Sequence, residues 1–266
     1  MMRLIPIASS SSGNCIYLGN DNTHILVDVG ISGKKVDLGL NSIGLKGEDI
    51  DAILITHEHI DHIGGLGIIS RKYNIPIYST HATFDAVKNN VKLGSIEEDL
   101  YHIIEPDKPF KIKDVEVEAF KTFHDAVCPV AYSFACGGSR AAIATDTGTF
   151  DEYMVSHLMG MNALLLEANH DVRMVQAGPY PYQTKQRILS DVGHLSNENC
   201  GRLLSTIMND GLKGILLGHL SKENNYPELA YETVRLEINM SDNKYGADDF
   251  PIYIAKPDAL SQCIDF

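Results

Sequence analysis

With 266 residues and 44% hydrophobic content, the chain can bury a full core as one large domain or as two halves. Its 22 Lys and Arg against 35 Asp and Glu leave a net charge of −13, which repels nucleic acid at long range. The balance gives no sign of a broad nucleic-acid-binding face and weighs modestly against a nucleic-acid enzyme, so any such substrate must be held by a local basic patch or by metal. The cysteines Cys15, Cys128, Cys136, Cys200 and Cys263 are odd in number and contain no CxxC pair, against a disulfide framework and in keeping with a reducing compartment. The opening MMRLIPIASSSSGN has too short an apolar run for a signal peptide, and no segment approaches the length that crosses a bilayer. A cytoplasmic protein with no membrane or disulfide partner is expected.

In chain order, residues 4–8, 15–19 and 23–28 read as short strands, the first two joined by Ser9-Ser-Ser-Ser-Gly-Asn14. Residues 32–45 carry helical spacing. Residues 52–65, AILITHEHIDHIGG, are a buried strand that stops abruptly at polar residues, followed by a helix over 66–73. A strand at 77–79 and a helix at 82–90 come next. Strands follow at 115–123, 131–135 and 140–145, with a Gly137-Gly138 hairpin turn between the last two. From residue 151 the rhythm is helical at 151–159, 183–190 and 197–208, with strands at 163–166 and 215–217. Pro227 opens a further helix, and 252–254 is a late strand. No repeat or linker stands out. The chain reads as a single domain over 1–266 with two similar halves, divided near 128–131.

His57, His59, Asp61 and His62 fall within six positions. As mere packing this is costly, because each buried polar group needs its own partner. Imidazoles and a carboxylate instead suit a borderline-soft divalent ion, and four so close together can serve two. Beneath them, Gly64 and Gly65 let the backbone turn closely. Six apolar runs end at ligand-competent residues: Asp28, His57, His124, Asp146, Glu167 and His219. In open α/β sheets, sites form beyond the carboxyl ends of the strands, so these six point to one edge.

The pattern H-x-H-x-D-H at 57–62 resembles the signature of the metallo-β-lactamase fold superfamily. That resemblance implies an α/β fold, an αββα sandwich of two mixed sheets flanked by helices. It implies two divalent ions, zinc first with manganese or iron as alternatives. His57, His59 and His124 would hold one ion, Asp61, His62 and His219 the other, and Asp146 would bridge them. Asp61 also counts among the catalytic residues, and Asp28 would support the ligands from behind. Di-iron redox members carry Glu at the second His, so His59 implies hydrolysis.

The run E-A-N-H-D at 167–171, then GHLS at 193–196 and LLGHLS at 216–221, is similar to the superfamily's phosphodiesterases. There a Glu and a His outside the metal shell assist the leaving group, the roles of Glu167 and His194 here. The competing reading of His194 is a cap on the helix that begins at Asn197. Pro179-Tyr-Pro-Tyr182, GHLSN, SSSSGNC and HLSKENNYP together resemble the YycJ/WalJ branch over essentially the whole chain. The expected reaction is hydrolysis of a phosphodiester, most plausibly in DNA and by an exonuclease, using a metal-bound hydroxide. Ser11 and Asn14, in a loop able to present backbone N–H groups, and Lys185 and Arg187 are expected phosphate contacts. The rivals are a glyoxalase-like thioesterase, a small cyclic-nucleotide phosphodiesterase, and a metal-binding regulatory partner of cell-wall signalling with little turnover.

Overall fold

The computed structural model describes residues 1–266. Its first strands are β1 (Arg3–Ala8), β2 (Cys15–Gly19), β3 (His24–Val27), β4 (Ala52–Leu54), β5 (Ile77–Ser79) and β6 (Tyr101–Ile103). Then come β7 (Phe110–Ile112), β8 (Val115–Lys121), β9 (Val130–Cys136) and β10 (Ser139–Ala144). The last are β11 (Ala163–Glu167), β12 (Gly214–Gly218), β13 (Ile252–Ile254) and β14 (Ile264–Asp265). They form two seven-stranded sheets, ordered β14-β1-β2-β3-β4-β5-β6 and β13-β12-β11-β10-β9-β8-β7. The first is antiparallel from β14 to β3 and parallel from β3 to β6. The second repeats that plan, antiparallel from β7 to β10 and parallel from β10 to β13.

Alternation of side chains along the strands builds the layers. Ile16 and Leu18 of β2 share a core with Ala141 and Ile143 of β10, between the sheets. Cys15 and Tyr17 face the other way, onto helices Gly33–Ser42, Leu66–Tyr73 and His81–Lys88. Ala142 and Ala144 likewise face helices Glu152–Leu158, Asn197–Ile207 and Pro227–Met240. The result is the expected αββα sandwich. No helix is long and apolar enough to cross a membrane.

Three strands escaped the sequence pattern: β6, β7 and β14 are only two or three residues long and all at sheet edges, too short to display a period. The chain passes from one sheet to the other at 104–109, between β6 and β7, whereas 128–131 lies at the β8–β9 connection inside the second sheet. The sequence there offers turn residues but no change in pattern that would mark the crossing.

Backbone hydrogen bonds clamp the ligand-rich turn. Asn14 N–H donates to the Asp61 carbonyl at 2.8 Å, and Gly30 N–H to the Asn14 carbonyl at 2.7 Å. Val29 N–H donates to the His62 carbonyl and Gly65 N–H to the Val29 carbonyl, both at 2.8 Å. So close an approach leaves no room for side chains: a Cβ on Gly65 would lie 2.0 Å from the Ile31 oxygen, and one on Gly30 1.7 Å from the Asp61 oxygen. Gly30→Ala must therefore push the turn away, at a cost of about 1–3 kcal/mol for an overpacked site. Urea unfolding of the variant should show a lowered midpoint with an unchanged slope; an unchanged midpoint would mean the turn is free to shift.

Candidate metal centre

Strand ends supply the site. Asp28 follows β3, Asp146 follows β10 by one residue and His219 follows β12, and all three adopt left-handed backbone, with φ of 60°, 60° and 55°. Asp and His tolerate this region better than most residues, but it still costs on the order of 1 kcal/mol each and persists only where the surroundings enforce it. Each sharp turn directs the side chain across the sheet edge instead of along the strand.

Behind the histidines lies a buried scaffold. Asp28 Oδ2 stands 2.7 Å from His62 Nδ1, both side chains fully buried. Its Oδ1 accepts from the Thr56 N–H, and Thr56 Oγ1 donates to Oδ2, each at 2.9 Å. With its proton spent there, Thr56 Oγ1 accepts from His57 Nδ1 at 3.0 Å. His124 Nδ1 donates to the Gly193 carbonyl at 2.9 Å. In His57, His62 and His124 the Nδ1 proton is thus held outward, which turns Nε2 toward the cluster. Thr56, Gly193 and Ser9, whose Oγ accepts the His219 N–H at 2.9 Å, are supports that the sequence reading missed. Thr56 was within reach of it, one residue before His57. Gly193 acts through a carbonyl 69 positions from His124 and carried no signal.

The inward atoms fall into overlapping sets able to hold a cation: His57, His59 and His124; His57, His62 and Asp146; Asp61, His62 and His219; and Asp146, Glu167, His194 and His219. His59 Nδ1 and His124 Nε2 are 3.2 Å apart. Asp146 Oδ1 lies 3.6 Å from His124 Nε2, while Oδ2 lies 3.1 Å from both His62 Nε2 and His219 Nδ1. Despite those distances, Asp146 Oδ2, His57 Nε2 and both ring nitrogens of His219 complete no hydrogen bond. Buried polar atoms left this way are expensive unless a cation meets them. The residues fit a metal site on that ground.

The charges agree. Burial, then the neighbouring His62, hold His57 well below the usual histidine range, and burial lowers His124 as well, so both are neutral imidazoles. Burial opposes charge on His62 too, but Asp146, Asp28 and Asp61 outweigh it and push its pKa well up. Burial disfavours the Asp146 carboxylate, yet His219 and His62 hold it well below the usual range. The cluster is a field that demands positive charge at its centre.

Beside it, Glu167 Oε1 stands 2.7 Å from His194 Nδ1. Glu167 is fully buried, its Oε2 accepting the Thr147 N–H at 2.9 Å and the Leu195 N–H at 3.3 Å. Burial works against charge on His194, but Glu167 overcomes it and lifts the pKa to about 9. The helix starting at Asn197 is capped by Ser196, whose Oγ accepts the Asn199 N–H, so His194 is not the cap.

The expected phosphate contacts fare differently. Ser11 is exposed at the tip of its loop. Asn14 is instead fully buried, bonding the Ser10 backbone through both amide atoms and lying 3.1 Å from His62 Nε2, so it braces the ligand turn and offers nothing to solvent. Arg187 is engaged bidentately by Asp125, and Lys185 donates to the Gln176 carbonyl at 2.8 Å. Arg187 is thereby committed to Asp125, 62 positions away in the chain, and Lys185 is tethered to a carbonyl that leaves its charge in place.

A family model described as the metallo-beta-lactamase superfamily matches residues 10–198. The chain is 42% identical to a protein named exodeoxyribonuclease WalJ from Streptococcus pneumoniae serotype 2 (strain D39), over 96% of this chain and 94% of that one. It is 41% identical to one named exodeoxyribonuclease YycJ from Bacillus anthracis, over 86% of each. Among solved structures, the metallo-beta-lactamase fold protein YhfI from Bacillus subtilis superposes with a TM-score of 0.70 at 16% identity, covering 98% of this chain and all of that one. The strand-end site, the αββα layers and these similarities have one conclusion: the chain belongs to the metallo-beta-lactamase superfamily.

Proposed function

We propose that the protein is a metal-dependent exodeoxyribonuclease that works with two divalent ions, zinc first among them. His57, His59 and His124 would hold one ion, Asp61, His62 and His219 the second, and Asp146 would lie between them. The observation that carries the dinuclear reading is the division of Asp146, with Oδ1 toward His124 and His194 and Oδ2 toward His62 and His219. The DNA substrate rests on the names of relatives that match almost the entire chain. When bound, the ions supply Lewis-acid activation of water and neutralise charge on the phosphoryl oxygens.

The chain's own part in bond cleavage belongs to Glu167 and His194. The Glu167 carboxylate keeps a proton on His194 Nδ1 and stabilises the imidazolium. With a pKa near 9, His194 is protonated at neutral pH and its Nε2–H is available to the departing oxygen. Transfer of that proton leaves a neutral imidazole still hydrogen-bonded to Glu167, and the nucleotide departs as an alcohol. A thiolate leaves without such help, so a buried carboxylate–imidazolium pair favours a phosphodiester over a thioester.

Elemental analysis of the purified protein should find two ions per chain, and His59→Ala should lose at least one; no stoichiometric metal in the wild type would end the reading. Asp146→Asn keeps the shape and removes the negative charge between two cations. It should lose dinuclear occupancy while circular dichroism stays that of the wild type, and full occupancy would show that Asp146 does not bridge. His194→Ala should slow DNA cleavage by about 10²–10⁴-fold. A nitrophenyl phosphodiester, whose leaving group needs little protonation, should suffer far less, with metal content intact. Loss of metal in that variant would instead make His194 a ligand.

A further inference from the structure

Next to the metal centre lies a cavity of about 340 Å³ that the reaction so far leaves unused. One wall is the serine loop, with the exposed hydroxyls of Ser11 and Ser12. The facing wall is the segment after β12, where Lys222 and Tyr226 are exposed. Ile254, Ala255 and Pro257 line its apolar side. The cavity wall is joined to the metal centre: Ser9 Oγ holds the His219 N–H, and Ser10 pairs with Leu220, the residue after His219, in a parallel bridge. Asn14 ties the same loop to His62.

Charge singles out this cavity. Around the site, Arg187 is engaged by Asp125 and Lys185 by a carbonyl, and the cavity's own Asp258 is neutralised by Lys35 at 2.6 Å. Lys222 makes no such pairing, and it is the one cation among the residues lining the cavity of a chain whose net charge is −13. A free ammonium and two hydroxyls suit a phosphate, while half of the Tyr226 surface stays exposed and suits a nucleobase. We infer that this cavity seats one nucleotide of the DNA strand adjoining the scissile phosphate, Lys222 with Ser11 and Ser12 meeting its phosphate and Tyr226 stacking on its base. The inference rests on the nuclease reading and assigns the part of that site that holds the strand.

The test is steady-state cleavage of a single-stranded oligonucleotide by metal-loaded enzyme across a salt series. Lys222→Ala should raise KM more than it lowers kcat and flatten the log–log dependence of KM on salt by about 0.7–1, one phosphate contact. Lys222→Arg should restore both. Tyr226→Ala should raise KM about tenfold, the loss of one stacked base, and Tyr226→Phe should not. Metal content should match the wild type throughout; a loss in Lys222→Ala would trace the effect to His219 and overturn the assignment. A wild type that cleaves DNA, with KM and salt slope unchanged in both alanine variants, overturns the cavity alone. A wild type that cleaves none overturns the nuclease reading and this inference with it.

Discussion

The site depends on a buried carboxylate that has nowhere to discharge except onto cations. Asp146 is 2% exposed, and its Oδ2 completes no hydrogen bond. An isolated carboxylate in such a place would take up a proton. Here His219 and His62 hold it ionised, and its charge, with that of Asp28 and Asp61, in turn raises His62. Each group's state is set by the others, so the cluster behaves as one electrostatic object. Two divalent ions would satisfy it more completely than the single imidazolium proton does, and would compete with that proton for His62 Nε2.

The fold delivers that object through its repeated sheet plan. In each sheet the pairing changes from antiparallel to parallel at one strand, β3 in the first and β10 in the second. Asp28 and Asp146 lie just beyond those two strands, both with φ of 60°. The equivalent turns serve different ends. Asp28 is fully buried and grips Thr56 and His62, so it orients ligands, whereas Asp146 reaches the centre itself. One local device, a left-handed aspartate at the switch of strand direction, yields a support on one side and a bridge on the other. The backbone strain at both is carried by the surrounding layers of core.

What could be read from the sequence was whatever depends on short spacing or strand ends. The crowding at 57–62 and the six apolar runs closing on Asp, Glu or His placed the centre, because both signals are local. The long strands were visible through their apolar runs, while β6, β7 and β14 were not. Side-chain pairing at the surface left no trace: nothing in the segment 179–196 shows that Arg187 is taken up by Asp125, 62 positions earlier. Asn14 was misleading for a related reason. A Ser/Gly/Asn run looks like an exposed turn, yet its last residue is drawn inward by backbone bonds to Asp61 and Gly30.

The pairing of Arg187 bears on how an acidic protein handles an acidic polymer. Free cations at the rim would attract any polyanion, and the attraction would vary with salt and carry little selectivity. Here most of the positive charge near the centre is committed internally, to Asp125, to Asp258 and to a backbone carbonyl. An acidic surface then repels a strand at long range, and the attraction falls to cations held at the centre and to Lys222 on the adjoining cavity. Strand binding of this kind depends on metal occupancy as much as on protein side chains. Affinity for DNA and affinity for the ions become linked quantities, each strengthening the other by the same factor. An enzyme built so would hold nucleic acid more tightly once its metals are in place.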